Sequence, residues 1–231
     1  MTVFTGMTDL VSNLNALAGG LFIVATFGIV VARQVRACLR FFVFQSFFLA
    51  VSAFMLGIIP FSVHLMAVGT INLIAKVWIL PWILLHMLGE EVYTRREIDQ
   101  VVSIPASLII ALVLTIVSCF LSLPWLKAVS AAKALYINIP IGLAGLFLGA
   151  YTLTARREAV PQLLGLLAME NSAFFAGIAV APDLPLISEL ALVFDLLILI
   201  FVVSILTRRV HKHLGTTTVG RLEKLREEPY K

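Results

Sequence analysis

Apolar residues run almost unbroken along this chain in stretches of about 20, the length that spans a hydrocarbon core at 1.5 Å per residue. Seven such stretches lie near 14–32, 41–60, 65–88, 104–123, 134–155, 161–181 and 186–207. They are too long, and too poor in alternation, to be barrel strands. The pattern predicts an all-α, multi-pass transmembrane helical bundle. Prolines punctuate it: Pro105 and Pro161 open spans and Pro124 closes one, while Pro81 and Pro140 lie inside spans and are expected to kink them.

Composition agrees. Of 231 residues, 61% are hydrophobic and 13% charged, against about a quarter charged in an ordinary soluble domain; the mean hydropathy is +1.04. Residues 1–13 lack a basic n-region, so the first span is expected to remain in the mature chain. Charge sets an expected orientation. Arg33, Arg36, Arg40, Arg95, Arg96, Arg156, Arg157 and the seven cations after residue 207 fall on one side, against Lys127 and Lys133 on the other. By the positive-inside rule the N-terminus is outside and the C-terminus cytoplasmic. This accounts for the net charge of +4 and a pI near 9.3 without nucleic acid. Cys38 and Cys119 belong to no CxxC or Cys/His cluster, and His64, His86, His211 and His213 are scattered, so no metal site is expected.

Against this background, Glu170 and Asp195 stand out, each near the middle of an apolar run. Holding an acid there costs about 2.5–3.5 kcal/mol on insertion scales, so such residues face a bundle interior, pair with something, or lie on a proton path. Lys76 is similarly placed, too deep to snorkel to either interface. The bland alternative is hydrogen-bonded glue between helices.

The two ends of the chain also resemble each other. Residues 32–80 match 155–199: ARQVRACLRFFVFQSFFLAVSAF lies beside ARREAVPQLLGLLAMENSAFFAGIAV with a two-residue gap, and INLIAKVWIL beside LALVFDLLIL. Gln45 then stands opposite Glu170, and Lys76 opposite Asp195. The expected organisation is an N-terminal segment 1–13, a three-helix repeat 14–88, a linker span with its loops 89–133, a second three-helix repeat 134–207, and a basic tail 208–231. An even number of turns separates the copies, which makes the repeat parallel.

YINIPIGLAGLFLGAYTLTARREAVPQLLGLLAMENSAFFAGI followed by LISELALVFDLLILIFVVSILTRR resembles subunit K of respiratory complex I and its counterpart in multisubunit cation/proton antiporters. Glu170 with Asn171, and Asp195, occupy the family's acidic places, Asp195 departing from the usual Glu. Over roughly residues 14–215 the chain is similar to hydrogenase-4 component E. The resemblance implies a noncatalytic subunit of a formate hydrogenlyase-type complex in a bacterial or archaeal cell membrane, beside antiporter-like and hydrogenase subunits. Nickel–iron and iron–sulfur centres would belong to those partners, with no cofactor in this chain. No nucleotide loop, iron–sulfur cysteine run or haem motif appears.

The expected proton path consists of Glu170, Asp195 and Lys76, with Gln45, Asn171, Asn72 and Glu189 lining or tuning it. Two other readings compete. One is a membrane-arm scaffold without its own proton path, and the other a stand-alone secondary transporter, which internal repeats and mid-membrane polar groups also suit.

Overall fold

Long apolar runs build six helices among the residues that the computed structural model describes, 2–58, 62–87, 101–128 and 137–180. They are α1 (Thr2–Val31), α2 (Val35–Ile58), α3, α4 (Ile104–Ala128), α5 (Asn138–Ala155) and α6 (Ala159–Val180). Helix α3 is continuous but composite: Val63–Asn72 is α-helical, Leu73–Ile79 π-helical, and Leu80–Met87 α-helical again. No β-strand forms among the described residues. Among the described residues, five segments are long and apolar enough to cross a membrane: Asp9–Val31, Val35–Ile58, Val63–His86, Ile104–Pro124 and Asn138–Ala155. Helix α6 has 22 residues but is interrupted by Gln162, Glu170, Asn171 and Ser172. The expected seventh span and the basic tail, with Glu189 and Asp195, lie outside the described residues.

Several boundaries differ from those expected. Helix α1 begins at Thr2 rather than near residue 14; no proline interrupts the polar stretch ahead of the apolar run, so nothing stops the helix there. Pro140 does not kink a span. Helix α5 starts at Asn138, which puts Pro140 in the first turn, where the missing N–H has no partner to lose. Pro124 does not end α4, which continues through it to Ala128.

Pro81 does loosen its helix. It has no N–H for the carbonyl one turn earlier, and its ring crowds that carbonyl. The preceding turn widens, and the Leu80 N–H bonds the Ala75 carbonyl five residues back. At the other end of α3, the Ser62 hydroxyl caps the helix by accepting from the Leu65 N–H.

Helices α1, α2, α5 and α6 form the centre, α3 leans on α2, and α4 lies outside against α5 and α1. The α5–α6 contact is close because glycines line it: a Cβ on Gly142 would stand 2.6 Å from the Ser172 carbonyl oxygen, and one on Gly149 2.7 Å from the Met169 nitrogen. Small residues permit this approach where water supplies no hydrophobic drive. Beside a small cluster of Val30, Ala111 and Leu148, two larger apolar clusters fill the interior among the described residues. One is built around Phe42, Leu80, Leu84, Leu164 and Leu167. The other is built around Phe22, Leu49, Leu65 and Phe175, with the Phe22 and Phe175 rings stacked at 4.5 Å.

Candidate functional site

Lys76 sits in the π-helical stretch of α3, 1% exposed. Its Nζ donates to Glu170 Oε1 at 2.8 Å and to Asn171 Oδ1 at 2.9 Å, both from the middle of α6. Glu170 retains 22% of its side-chain exposure, so the pair is sealed on the lysine side and open on the carboxylate side. An ammonium at such a place is tolerable only with a carboxylate and further hydrogen bonds beside it, since desolvation costs several kcal/mol or more for each ion.

Neutral groups extend the pair inward. Asn171 Nδ2 donates to Ser46 Oγ at 2.8 Å and lies 3.4 Å from Gln45 Oε1. Gln45 Nε2 donates to Thr26 Oγ1 at 2.9 Å, with the Ala168 carbonyl and Ser172 Oγ at 3.4 Å. A hydrogen-bonded line thus runs from Glu170 through Lys76 and Asn171 to Gln45 and Thr26, crossing α6, α3, α2 and α1. Every member except Glu170 is buried.

Four residues singled out from the sequence, Gln45, Lys76, Glu170 and Asn171, therefore meet at one place. Lys76, which the repeat aligns with Asp195, bonds Glu170, the acid that the repeat aligns with Gln45. Asn72 lies one helical turn before Lys76 and is also buried. Its Nδ2 donates to the Val68 carbonyl, and its Oδ1 has no hydrogen-bond partner among the described residues. Sequence reasoning missed Thr26, Ser46 and Ser172. The adjacent pairs Gln45-Ser46 and Asn171-Ser172 were the available signal, two polar residues together in otherwise apolar runs.

A second polar cluster, also missed, joins α1, α2 and α5. Asn15 Nδ2 donates to Asn138 Oδ1 at 2.8 Å, Asn138 Nδ2 to Ser52 Oγ at 3.3 Å, and Ser52 Oγ to Asn15 Oδ1 at 2.6 Å. The ring is closed, neutral and fully buried. Asn15 and Asn138 stand 123 positions apart, as do Gly19 and Gly142, Ala32 and Ala155, and Arg33 and Arg156. The internal likeness thus reaches back into α1, and two equivalent asparagines hydrogen-bond to each other.

Arg156 corrects another reading. Counted from sequence as a loop cation, it is 3% exposed, and its Nη2 donates to the Ile29 and Val30 carbonyls at the C-terminus of α1. A cation suits that end of the helix dipole. Burial lowers the guanidinium pKa from its usual value, opposed by nearby Cys38, Tyr151 and Glu158.

Chemically, the Lys76 centre can hold or exchange a proton between an ammonium and a carboxylate. Among the described residues no group of three or more His, Cys, Asp or Glu is placed to hold a metal ion. Cys38 is buried, Cys119 exposed, and both are free thiols.

No family model and no solved structure matches the chain. The uncharacterized protein Rv0085 of Mycobacterium tuberculosis (strain ATCC 25618 / H37Rv) is 30% identical over 211 residues, covering 91% of this chain and 94% of the relative. Shared along nearly the whole length of both proteins, that likeness places this chain in the same family as Rv0085.

Proposed function

We propose that this chain is a noncatalytic integral-membrane subunit of a hydrogenase-4 or formate hydrogenlyase-like respiratory complex and contributes to proton translocation. In this reading it crosses a bacterial or archaeal cell membrane seven times, N-terminus outside. It sits beside antiporter-like subunits, and the hydrogenase subunits hold the nickel–iron and iron–sulfur centres. The observation that carries the proposal is the Lys76–Glu170–Asn171 centre, an ion pair set mid-helix in an apolar bundle. The ammonium passes a proton to the carboxylate, leaving a neutral amine and a carboxylic acid, and the reverse transfer restores the pair. Glu170, the less buried member, exchanges its proton with the next group on the path, and Asp195 is the next acid of the relay. Asn171 and Gln45 hold the pair in place, Asn72 lines the path, and Glu189 belongs to the outer entrance.

Glu170→Gln keeps the side chain's shape and removes its proton chemistry. The complex is expected to assemble normally but to lose most proton movement, read as dye quenching in inverted membrane vesicles. Wild-type proton movement in this variant would rule the relay out. The scaffold reading has one observation in its favour: Lys76 is tied to two partners on α6 and so pins α3 to it. That reading expects Glu170→Gln to be harmless and Glu170→Ala to impair assembly. A stand-alone transporter would instead purify alone in mild detergent and take up substrate.

A further inference from the structure

The Lys76 centre contains more hydrogen-bonding capacity than its side chains use on one another. Lys76 Nζ carries three N–H donors, and Glu170 and Asn171 take two of them. Ser46 Oγ accepts from Asn171, while its own hydroxyl proton meets no acceptor among the described residues. Asn72 Oδ1 is buried and meets no donor among the described residues. The Asn72 amide is not simply reversed: its Nδ2 donates to the Val68 carbonyl at 3.1 Å, and flipping it would set two carbonyl oxygens against each other.

Helix geometry and a shared partner turn these three groups toward one junction. Residues four apart on a helix share a face, and long side chains lean toward the helix N-terminus, which brings the Lys76 ammonium beside the turn that carries Asn72. Asn171 bonds both Lys76 and Ser46, which ties the serine to the same junction of α2, α3 and α6. What fits must accept from an ammonium and a hydroxyl and also donate to an amide oxygen. A metal cation is repelled by Lys76, and an anion would face Glu170 and the Asn72 oxygen.

We infer that one water molecule is bound at this junction, accepting from Lys76 Nζ and Ser46 Oγ and donating to Asn72 Oδ1. Three partners is the usual complement of a buried water. The site stands whether or not protons move through the protein, and it goes beyond the proposed path by setting an exchangeable proton carrier against the lysine.

The test is a structure of the full chain in lipid nanodiscs at a resolution that shows ordered water, with thermal unfolding of Asn72→Leu as a second measurement. Expected is a solvent peak within about 3.2 Å of both Asn72 Oδ1 and Lys76 Nζ. The leucine, with the same branched shape and no polar atom, deprives that water of its acceptor and should lower Tm by roughly 2–4 °C. Were Oδ1 truly orphaned, the same change would set the removal of that destabilising group against the loss of the Nδ2 bond to the Val68 carbonyl and leave Tm unchanged or higher. No peak at the junction, or a Tm unchanged or higher in Asn72→Leu, overturns the inference. The wild-type map decides the question even if the variant fails to fold.

Discussion

The two buried polar clusters solve the same problem at different cost. The Asn15–Ser52–Asn138 ring joins three helices with neutral groups, each amide and hydroxyl serving another in a closed circuit. The Lys76–Glu170 centre joins α3 to α6 through an ion pair with the lysine sealed in. If holding helices together were all that was needed, the ring shows that amides and a hydroxyl suffice. Ions are expensive in this setting, since replacing a buried pair by apolar residues of similar volume is often neutral or stabilising. Their presence at the second place argues for a task that needs titratable groups, and breaking each cluster in turn sharpens that contrast.

The largest effect is expected from removing one ion and leaving the other. Lys76→Ala strands the Glu170 carboxylate and Asn171 Oδ1, and should cost about 3–5 kcal/mol, seen as lost protein in the membrane fraction. Replacing both partners together, Lys76→Met with Glu170→Leu, should restore that yield because no charge is left uncompensated. Proton movement should stay absent in the double variant. A double variant that moved protons normally would show that the pair is a costly form of the asparagine ring and nothing more.

The neutral ring should break more gently. Asn138→Leu removes the acceptor that faces Asn15 Nδ2 and takes a donor from Ser52, a loss of about 1–3 kcal/mol by thermal unfolding in detergent. Proton movement per assembled complex should be unchanged. Equal loss of coupling in this variant and in Glu170→Gln would erase the functional difference between the clusters.

What the sequence disclosed about these clusters follows from contrast. Glu170, Lys76, Gln45 and Asn171 are conspicuous because charges and amides are rare in apolar runs, and the structure brings all four together. Thr26 and Ser172 are inconspicuous because a hydroxyl in an apolar helix can bond its own backbone, as both do, to the Phe22 and Ala168 carbonyls. Pairing was harder to read than membership. The repeat aligns Lys76 with Asp195 by position, but which helices touch is a matter of packing, and packing sets Lys76 on Glu170. Likewise Pro81 announced a disturbed helix, while the widened turn that carries Lys76 is visible only in the backbone bonding. Arg156 was misread because a cation beside a helix end looks the same in sequence whether it is solvated or capping another helix from within.

The smallest expected effect compares two serines on one helix. Ser46 and Ser52 both lie buried on α2, six residues apart, the first beside the ion pair and the second in the neutral ring. Ser52→Ala removes both a donor to Asn15 and an acceptor for Asn138. Ser46→Ala removes one acceptor and leaves Asn171 Nδ2 with Gln45 Oε1 at 3.4 Å. On hydrogen-bond counting alone, Ser46→Ala should cost about 0.5–1.5 kcal/mol and Ser52→Ala somewhat more. Coupling should follow the opposite order, because Asn171 orients the lysine and Ser46 makes the shorter of the two bonds that hold its amide. Proton movement should fall in the variant that is the more stable of the two. Parallel losses in both measurements would mean that stability alone governs coupling, and the distinction between a structural and a proton-handling cluster would fail.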